Sequence, residues 1–402
     1  MIKGGGPPIL GTTPEIEAEI KNGKRVFLET DNEFHHIDSF KKKYEKGLEG
    51  KNKSLNMGFK QLDRYFGLRK QVMYLVGGYT GSGKTSLVDS AFVLNPIEYV
   101  EQHPNINFHV LYFSMERSKD YKIARFISRK IFLDKGIIIP LETILGWRDI
   151  PTSAEQVIIE SYFKYANDLI DKYITFFEGP IKPGGLFKQV NNFAKNRGTF
   201  EEVIIRKRDG VEYNKTIYVP TDPNELITVI VDTIQLTLPE LKEDKRQTSD
   251  KETMDKMSGY LRWTRDTLGY TPIIVSQFNR DISDSQRLKA GDVSPRLEDF
   301  MGSSNMCADS EVILALFDCT RYKVEDVNKY ALNKLRETEK NKNPGSLKYR
   351  SIFILKNSYG AENISKGLAY QPETGILCEM PRRDETTDEV YDSILNNNFF
   401  LK

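Results

Sequence analysis

The chain has 402 residues, 39% of them hydrophobic, and sets 58 Lys and Arg against 57 Asp and Glu for a formal net charge of +1. That length and apolar content allow a large buried core, while the balanced charge gives no general attraction for nucleic acid and leaves that role to a local basic channel or loop. The cysteines Cys307, Cys319 and Cys378 and the histidines His35, His36, His103 and His109 lack disulfide or zinc spacing, and no apolar run approaches the ~20 residues of a membrane helix, so the expectation is a reduced, soluble, cytoplasmic protein.

Residues 1–54 open with a Gly/Pro-rich stretch and continue as a charged segment with scattered apolar positions, which reads as a flexible arm or linker helix. Residues 55–385 form the body, and 386–402 a tail. A strand is expected over Val72–Val76, followed by a glycine-rich loop over Gly78–Thr85 and a helix from Ser86. Phe108–Ser114 is the next strand. Lys119–Phe132 is helical, with Ile123, Phe126, Ile127 and Ile131 on one stripe. A strand over Ile174–Phe177 and a helix over Gly185–Lys195 follow. Val203–Val219 reads as an inserted β-hairpin turning at Asp209-Gly210, whose Arg206, Lys207 and Arg208 suit phosphate contact or a solvated face equally. Leu226–Asp232 and Thr271–Ser276 are β-rich runs ending in polar residues. Lys323–Tyr349 reads as an exposed helix and loop, and Ile352–Leu355 as a last strand. The order implies an α/β fold, a P-loop NTPase core with a mostly parallel, twisted sheet flanked by helices.

The loop G-Y-T-G-S-G-K-T carries the chemistry most directly. Gly78, Gly81, Ser82 and Gly83 let backbone N–H groups close around phosphates, Lys84 neutralises β/γ charge, the Thr85 hydroxyl serves Mg²⁺, and Ser86 opens the helix whose N-terminus faces the anion, so ATP and Mg²⁺ are the expected ligands. Hydrolysis also needs an oriented water and stabilised charge. Asp232 is placed to hold Mg²⁺ through water, Glu116 to act as base, and Gln277 to sense the γ-phosphate. Each is also the kind of polar residue that any strand end tolerates.

Met57–Asp63, the phosphate loop, Phe113–Glu116, Val231–Leu236, Val275–Arg280, Gly302–Ser304 before Ala308–Ile313, and Lys356–Gly360 together resemble the ordered motifs of DnaB-type replicative helicases from about Leu55 to Met380. The resemblance implies a RecA-like motor domain and a homo-oligomeric ring, usually hexameric, that moves along one strand of single-stranded or forked DNA during replication. It implies ATP bound between neighbours, with Glu116 as base, Asp232 supporting the metal, Gln277 coupling the γ-phosphate to DNA-contacting loops, and Lys356 reaching a neighbour's γ-phosphate. Those loops would be 238–253, with Lys245, Arg246 and Lys251, and 280–296, with Arg280, Arg287 and Lys289, gripping backbone phosphate without regard to sequence. The resemblance also implies a primase or loader as partner, yet the helical domain that recruits primase in bacterial members has no recognisable counterpart in residues 1–54. A second departure is Ser358, where the family carries an arginine finger, a role for which Arg350 is one substitute. The third is the long 136–226 segment containing the hairpin. The compact chain suits a reduced viral or mobile-element form acting in the host cytoplasm. Two rival readings use the same residues: a filament-forming RecA-type recombinase or repair ATPase, and a nucleotide-gated DNA-binding assembly with little hydrolysis.

Overall fold

A computed structural model describes residues 20–21, 24–28, 40–41, 44–45, 47–48, 50, 52–207, 209–242, 245–279, 287, 289, 293–302, 304–319, 328–335 and 348–401. In chain order the strands are β1 (Ile20–Lys21), β2 (Lys24–Leu28), β3 (Tyr74–Gly78), β4 (Phe108–Ser114), β5 (Ile174–Glu178), β6 (Gly198–Arg206), β7 (Glu212–Pro220), β8 (Leu226–Asp232), β9 (Thr271–Gln277), β10 (Val312–Phe317), β11 (Tyr349–Asn357), β12 (Ile364–Gln371) and β13 (Ile376–Glu379).

Nine of these strands form one sheet, in the order β13-β12-β11-β10-β3-β9-β8-β4-β5. The run from β10 to β5 is parallel, and β11, β12 and β13 extend it antiparallel beyond β10. The parallel strands read as unbroken apolar runs because both faces are covered. In β3, Tyr74 and Val76 face one layer with Leu87, Val88 and Phe92 of the helical stretch after the glycine loop, while Leu75, and Met73 just before the strand, belong to the other layer with Leu186, Val190, Met257 and Leu261. The helix Lys119–Lys135 starts where the Ser118 side chain accepts from Tyr121 N at 3.2 Å and ends at Gly136, whose φ of 68° stops it three residues beyond the expected end.

Register decides what the sheet presents at its carboxyl edge. Gly78 pairs with Gln277 and Ser114 pairs with Asp232, so the glycine loop and the polar strand ends emerge side by side.

The hairpin is present as β6 and β7, paired from Gly198–Pro220 to Arg206–Glu212, and its turn is fixed by Asp209 Oδ1 accepting from Val211 N at 3.0 Å. Within the segment expected as an arm or linker helix, residues 40–41, 44–45 and 47–48 are helical and exposed, but Lys24–Leu28 is instead strand β2, which runs parallel to β6 and completes a second sheet, β1-β2-β6-β7. The charged pattern misled because Lys24 and Arg25 pair with Glu202 and Glu201 across that sheet while Val26 is buried. The expected tail also belongs to the core, since helix Asp388–Leu395 and the turn after it bury Tyr391, Ile394 and Phe400. Most of Lys323–Tyr349 lies outside the described residues; Leu332–Leu335 within it is a 3-10 turn.

No helix among the described residues is long and apolar enough to cross a membrane.

Candidate active site

The glycine loop is shaped by contacts that only glycine allows. A Cβ at Gly78 would sit 2.5 Å from the Leu316 carbonyl oxygen of β10, and Gly83, at φ 97°, caps the helix beginning at Lys84. Lys84 is 8% exposed and donates through Nζ to the carbonyls of Gly78 and Tyr79, both at 2.9 Å, so its ammonium lies in the loop's concavity. Ser82 is 2% exposed, and its Oγ is buried without a hydrogen-bond partner among the described residues. An unsatisfied hydroxyl beside a buried ammonium, at the N-terminus of a helix, fits a phosphate oxygen. The Ser86 hydroxyl instead accepts from Arg125 and lies 3.3 Å from Tyr370 OH, so only its backbone N–H is suited to an anion.

Thr85 Oγ1 lies 3.2 Å from Asp232 Oδ2 and 3.4 Å from Oδ1. A hydroxyl and a carboxylate so placed form a hard-oxygen donor set that fits Mg²⁺. Behind them is a buried cluster that the motif reading missed. Tyr112 OH lies 2.9 Å from Asp89 Oδ1 and 3.1 Å from Asp232 Oδ2, and Lys122 Nζ donates to Tyr112 OH at 2.5 Å and to Asp89 Oδ1 at 3.0 Å. Burial, and then the two carboxylates, push the Tyr112 phenol well above its ordinary range, so it stays protonated and serves as a donor. The available signal was Lys122, Phe126 and Arg129 at positions i, i+4 and i+7 of one helix, two basic residues on a buried stripe.

Glu116 follows β4 with its side chain 42% exposed and 3.5 Å from the Arg117 guanidinium; the strand end is tied to Asp232, whose carbonyl accepts from Met115 N at 2.8 Å. Gln277 is tied into the same edge. Its backbone N–H donates to Gln235 Oε1 at 3.1 Å, and Phe278 N donates to the Gly78 carbonyl at 3.2 Å. Gln235 also accepts from Thr233 Oγ1 at 2.8 Å and donates to Ser276 Oγ at 2.8 Å, so one amide bridges the ends of β8 and β9. Gln235 was visible only as part of a longer motif, without a role of its own.

Lys356 pairs with Ile313 at the start of β10, and Ile313 pairs with Leu75, so Lys356 sits about 10 Å of strand away from Gly78, toward the opposite edge. Its ammonium donates to the Cys307 and Ala308 carbonyls at 2.9 and 3.2 Å, away from its own glycine loop. Arg350 corrects an expectation. It is 3% exposed, donates to the Ser82 carbonyl at 2.9 Å, lies 3.4 Å from Asp318 and stacks 4.6 Å over Tyr370, so it braces its own chain's loop and is not a finger for a neighbour.

Of the basic loop residues, Lys245, Arg246, Lys251 and Lys289 are exposed. Arg287 turns inward to Asp299 Oδ1 at 2.6 Å and the Ser294 carbonyl at 2.8 Å, where it braces the segment before Leu297. Arg280 and Arg208 lie outside the described residues.

No protein-family model matches the sequence, and no curated protein matches it. Solved structures do share the fold. One of them, an ATPase domain, superposes with a TM-score of 0.61 at 17% identity, over 88% of this chain and all of that one. A DnaB-like replicative helicase, described with its interactions with primase, gives 0.58 at 18% identity over 86% of this chain and 66% of that chain. The RadB recombinase gives 0.42 at 13% identity over 81% of this chain and all of that one, too loose a fit to bear on function. The fold is therefore that of RecA-like P-loop ATPase domains.

Proposed function

We propose that this chain is an ATP-driven, ring-forming DNA helicase motor that translocates on single-stranded DNA and separates the duplex during replication. The observation that carries the reading is the division of parts between two sheet edges. Lys84, Thr85, Asp232 and Gln277 converge at one edge, and Lys356 lies toward the other, pointing away from its own loop. A head-to-tail contact between copies brings the Lys356 edge of one to the loop of the next, and such a heterologous contact makes a ring when the rotation between copies closes and a filament when it does not.

In this reading the loop N–H groups, Ser82 Oγ and Lys84 hold the phosphates of ATP. Mg²⁺, when bound beside Thr85 and Asp232, neutralises phosphate charge and orients the leaving group. Glu116 accepts the proton of the attacking water, and Lys356 of the adjoining copy stabilises charge on the transferred phosphoryl group. Gln277 senses the γ-phosphate, and the Gln235 bridge passes its position to the segments after β8 and β9, where exposed Lys245, Arg246, Lys251 and Lys289 meet phosphate of the tracked strand. Single-stranded or forked DNA and further copies of the chain, in a ring of six, are the partners of this reading.

Unwinding of a forked duplex with ATP and Mg²⁺ tests it, with Lys84→Ala as control. Strand separation lost in the variant supports the motor; DNA-stimulated hydrolysis without separation points to a filament-forming relative, and hydrolysis at background to a nucleotide-gated assembly.

A further inference from the structure

We infer that Lys122 is a positioning residue of the nucleotide site: a buried ammonium that fixes the Asp232 carboxylate and sets the charge the site offers to a divalent cation. This inference rests on the reading of Lys84 to Ser86 and Asp232 as an Mg²⁺-nucleotide site.

Lys122 is 0% exposed, and a buried ammonium is tolerated only when its donors are satisfied. Its Nζ lies 3.0 and 3.2 Å from the two oxygens of Asp89, 2.5 Å from Tyr112 OH and 3.4 Å from Asp232 Oδ2. The phenol has one proton to give, yet both Asp89 and Asp232 stand within reach of it. Whichever carboxylate the phenol does not serve depends on Lys122. Asp232 Oδ2 is thus held from one side by Tyr112 and Lys122 and from the other by Thr85 Oγ1 at 3.2 Å. Oδ1, by contrast, makes only the 3.4 Å contact with Thr85 among the described residues. The carboxylate is fixed by one oxygen while the other is left for water or metal.

Charge counting gives the cluster its second role. Within the Lys122–Asp89–Asp232 trio, two carboxylates against one ammonium leave one net negative charge, against a background of Arg125 and Arg129 that these substitutions leave unchanged. Removing Lys122 leaves two, and removing the Asp89 charge alone leaves none. Cation demand should follow that count, because each step changes the local field by one unit charge in a poorly screened site. Turnover should follow orientation instead, since a carboxylate freed from Lys122 attracts Mg²⁺ without holding it in place.

The test is a titration of Mg²⁺ against binding of a fluorescent ATP analogue, with turnover and thermal melting measured in parallel, on the full chain and on Lys122→Met, Asp89→Asn and the double variant. The half-saturating Mg²⁺ concentration should rise about ten-fold in Asp89→Asn, fall about ten-fold in Lys122→Met and return to the wild-type value in the double variant. Turnover should drop about ten-fold or more in Lys122→Met and recover in part in the double variant. A merely structural lysine would lower the melting temperature without that order. If Lys122→Met does not fold, the double variant against Asp89→Asn carries the same comparison. Equal Mg²⁺ dependence in all the folded proteins would overturn the inference. Wild-type protein that shows no Mg²⁺-dependent nucleotide binding would instead overturn the site reading beneath it.

Discussion

Thr85 Oγ1 stands 3.2 Å from Asp232 Oδ2 although 147 positions separate the two in the chain. A hydroxyl in the first turn of the helix after β3 and a carboxylate ending β8 meet because β9 alone lies between those strands and registers both at one edge. Asp232→Asn keeps the shape and removes the charge. It should leave the fold intact, as judged by circular dichroism, and reduce ATP turnover by roughly 100-fold or more.

Glu116→Gln addresses the base. The side chain is substantially exposed and removed from the buried core, so its loss should not affect the melting temperature, whereas hydrolysis should fall by about 10²- to 10⁴-fold with nucleotide binding retained. A stopped single-turnover assay separates the two, and a variant that hydrolyses at the wild-type rate would falsify the assignment.

Arg350 should behave as a brace. Truncation to Ala removes the ion pair with Asp318 and releases the Ser82 carbonyl, with an expected loss of about 3 kcal/mol of stability and weaker nucleotide binding. Mixing the variant with wild-type subunits should not rescue its own site, because the contact is within one chain. Denaturant melts and nucleotide titration check both halves.

His109 gives the fold a pH dependence. Burial, with the Arg197 charge adding to it, pulls the imidazole from 6.5 down to about 4. The unfolded chain therefore binds a proton below about 6.5 that the folded one refuses until about 4, so this contribution is complete above 6.5 and is lost as pH falls through that window, up to about 3 kcal/mol. Melting temperatures between pH 7 and pH 4.5 should fall more steeply for wild type than for His109→Gln.

The exposed lysines of the 238–253 loop should act through counterion release. Replacing Lys245 and Lys251 together by Ala should reduce the salt slope of single-stranded DNA binding by about 1 to 2 units without changing sequence preference. An unchanged slope would remove that loop from the DNA interface.

The glycine loop, the strand runs and the polar strand ends were readable because each is local: a fixed spacing, a β-rich run, an acid or amide at its end. The fold class and the placement of Asp232 and Gln277 beside Gly78 followed from those signals plus parallel order. What stayed hidden is non-local. Lys122 looks like any helical lysine until β4 and the helix after the glycine loop close over it, and Arg350 becomes a brace only because β11 runs antiparallel to β10 and brings its start to Ser82. The amino-terminal segment was read as a linker because charges that pair across a sheet look, in sequence, like charges facing water. Phe399, Phe400 and Leu401 were a local apolar signal at the carboxyl end, and helix Asp388–Leu395 supplies the rest of the face that docks there.

The measurement that tests the account most directly is DNA-stimulated ATP hydrolysis by mixed subunits. Lys84→Ala and Lys356→Ala should each be inactive alone. Mixed in equal amounts, they should regain about a quarter of wild-type activity, since that share of interfaces joins an intact loop to an intact Lys356. Recovery near that level would show a site completed by the neighbouring copy. Two inactive variants that stay inactive when mixed, while wild-type and variant subunits demonstrably co-assemble, would contradict it.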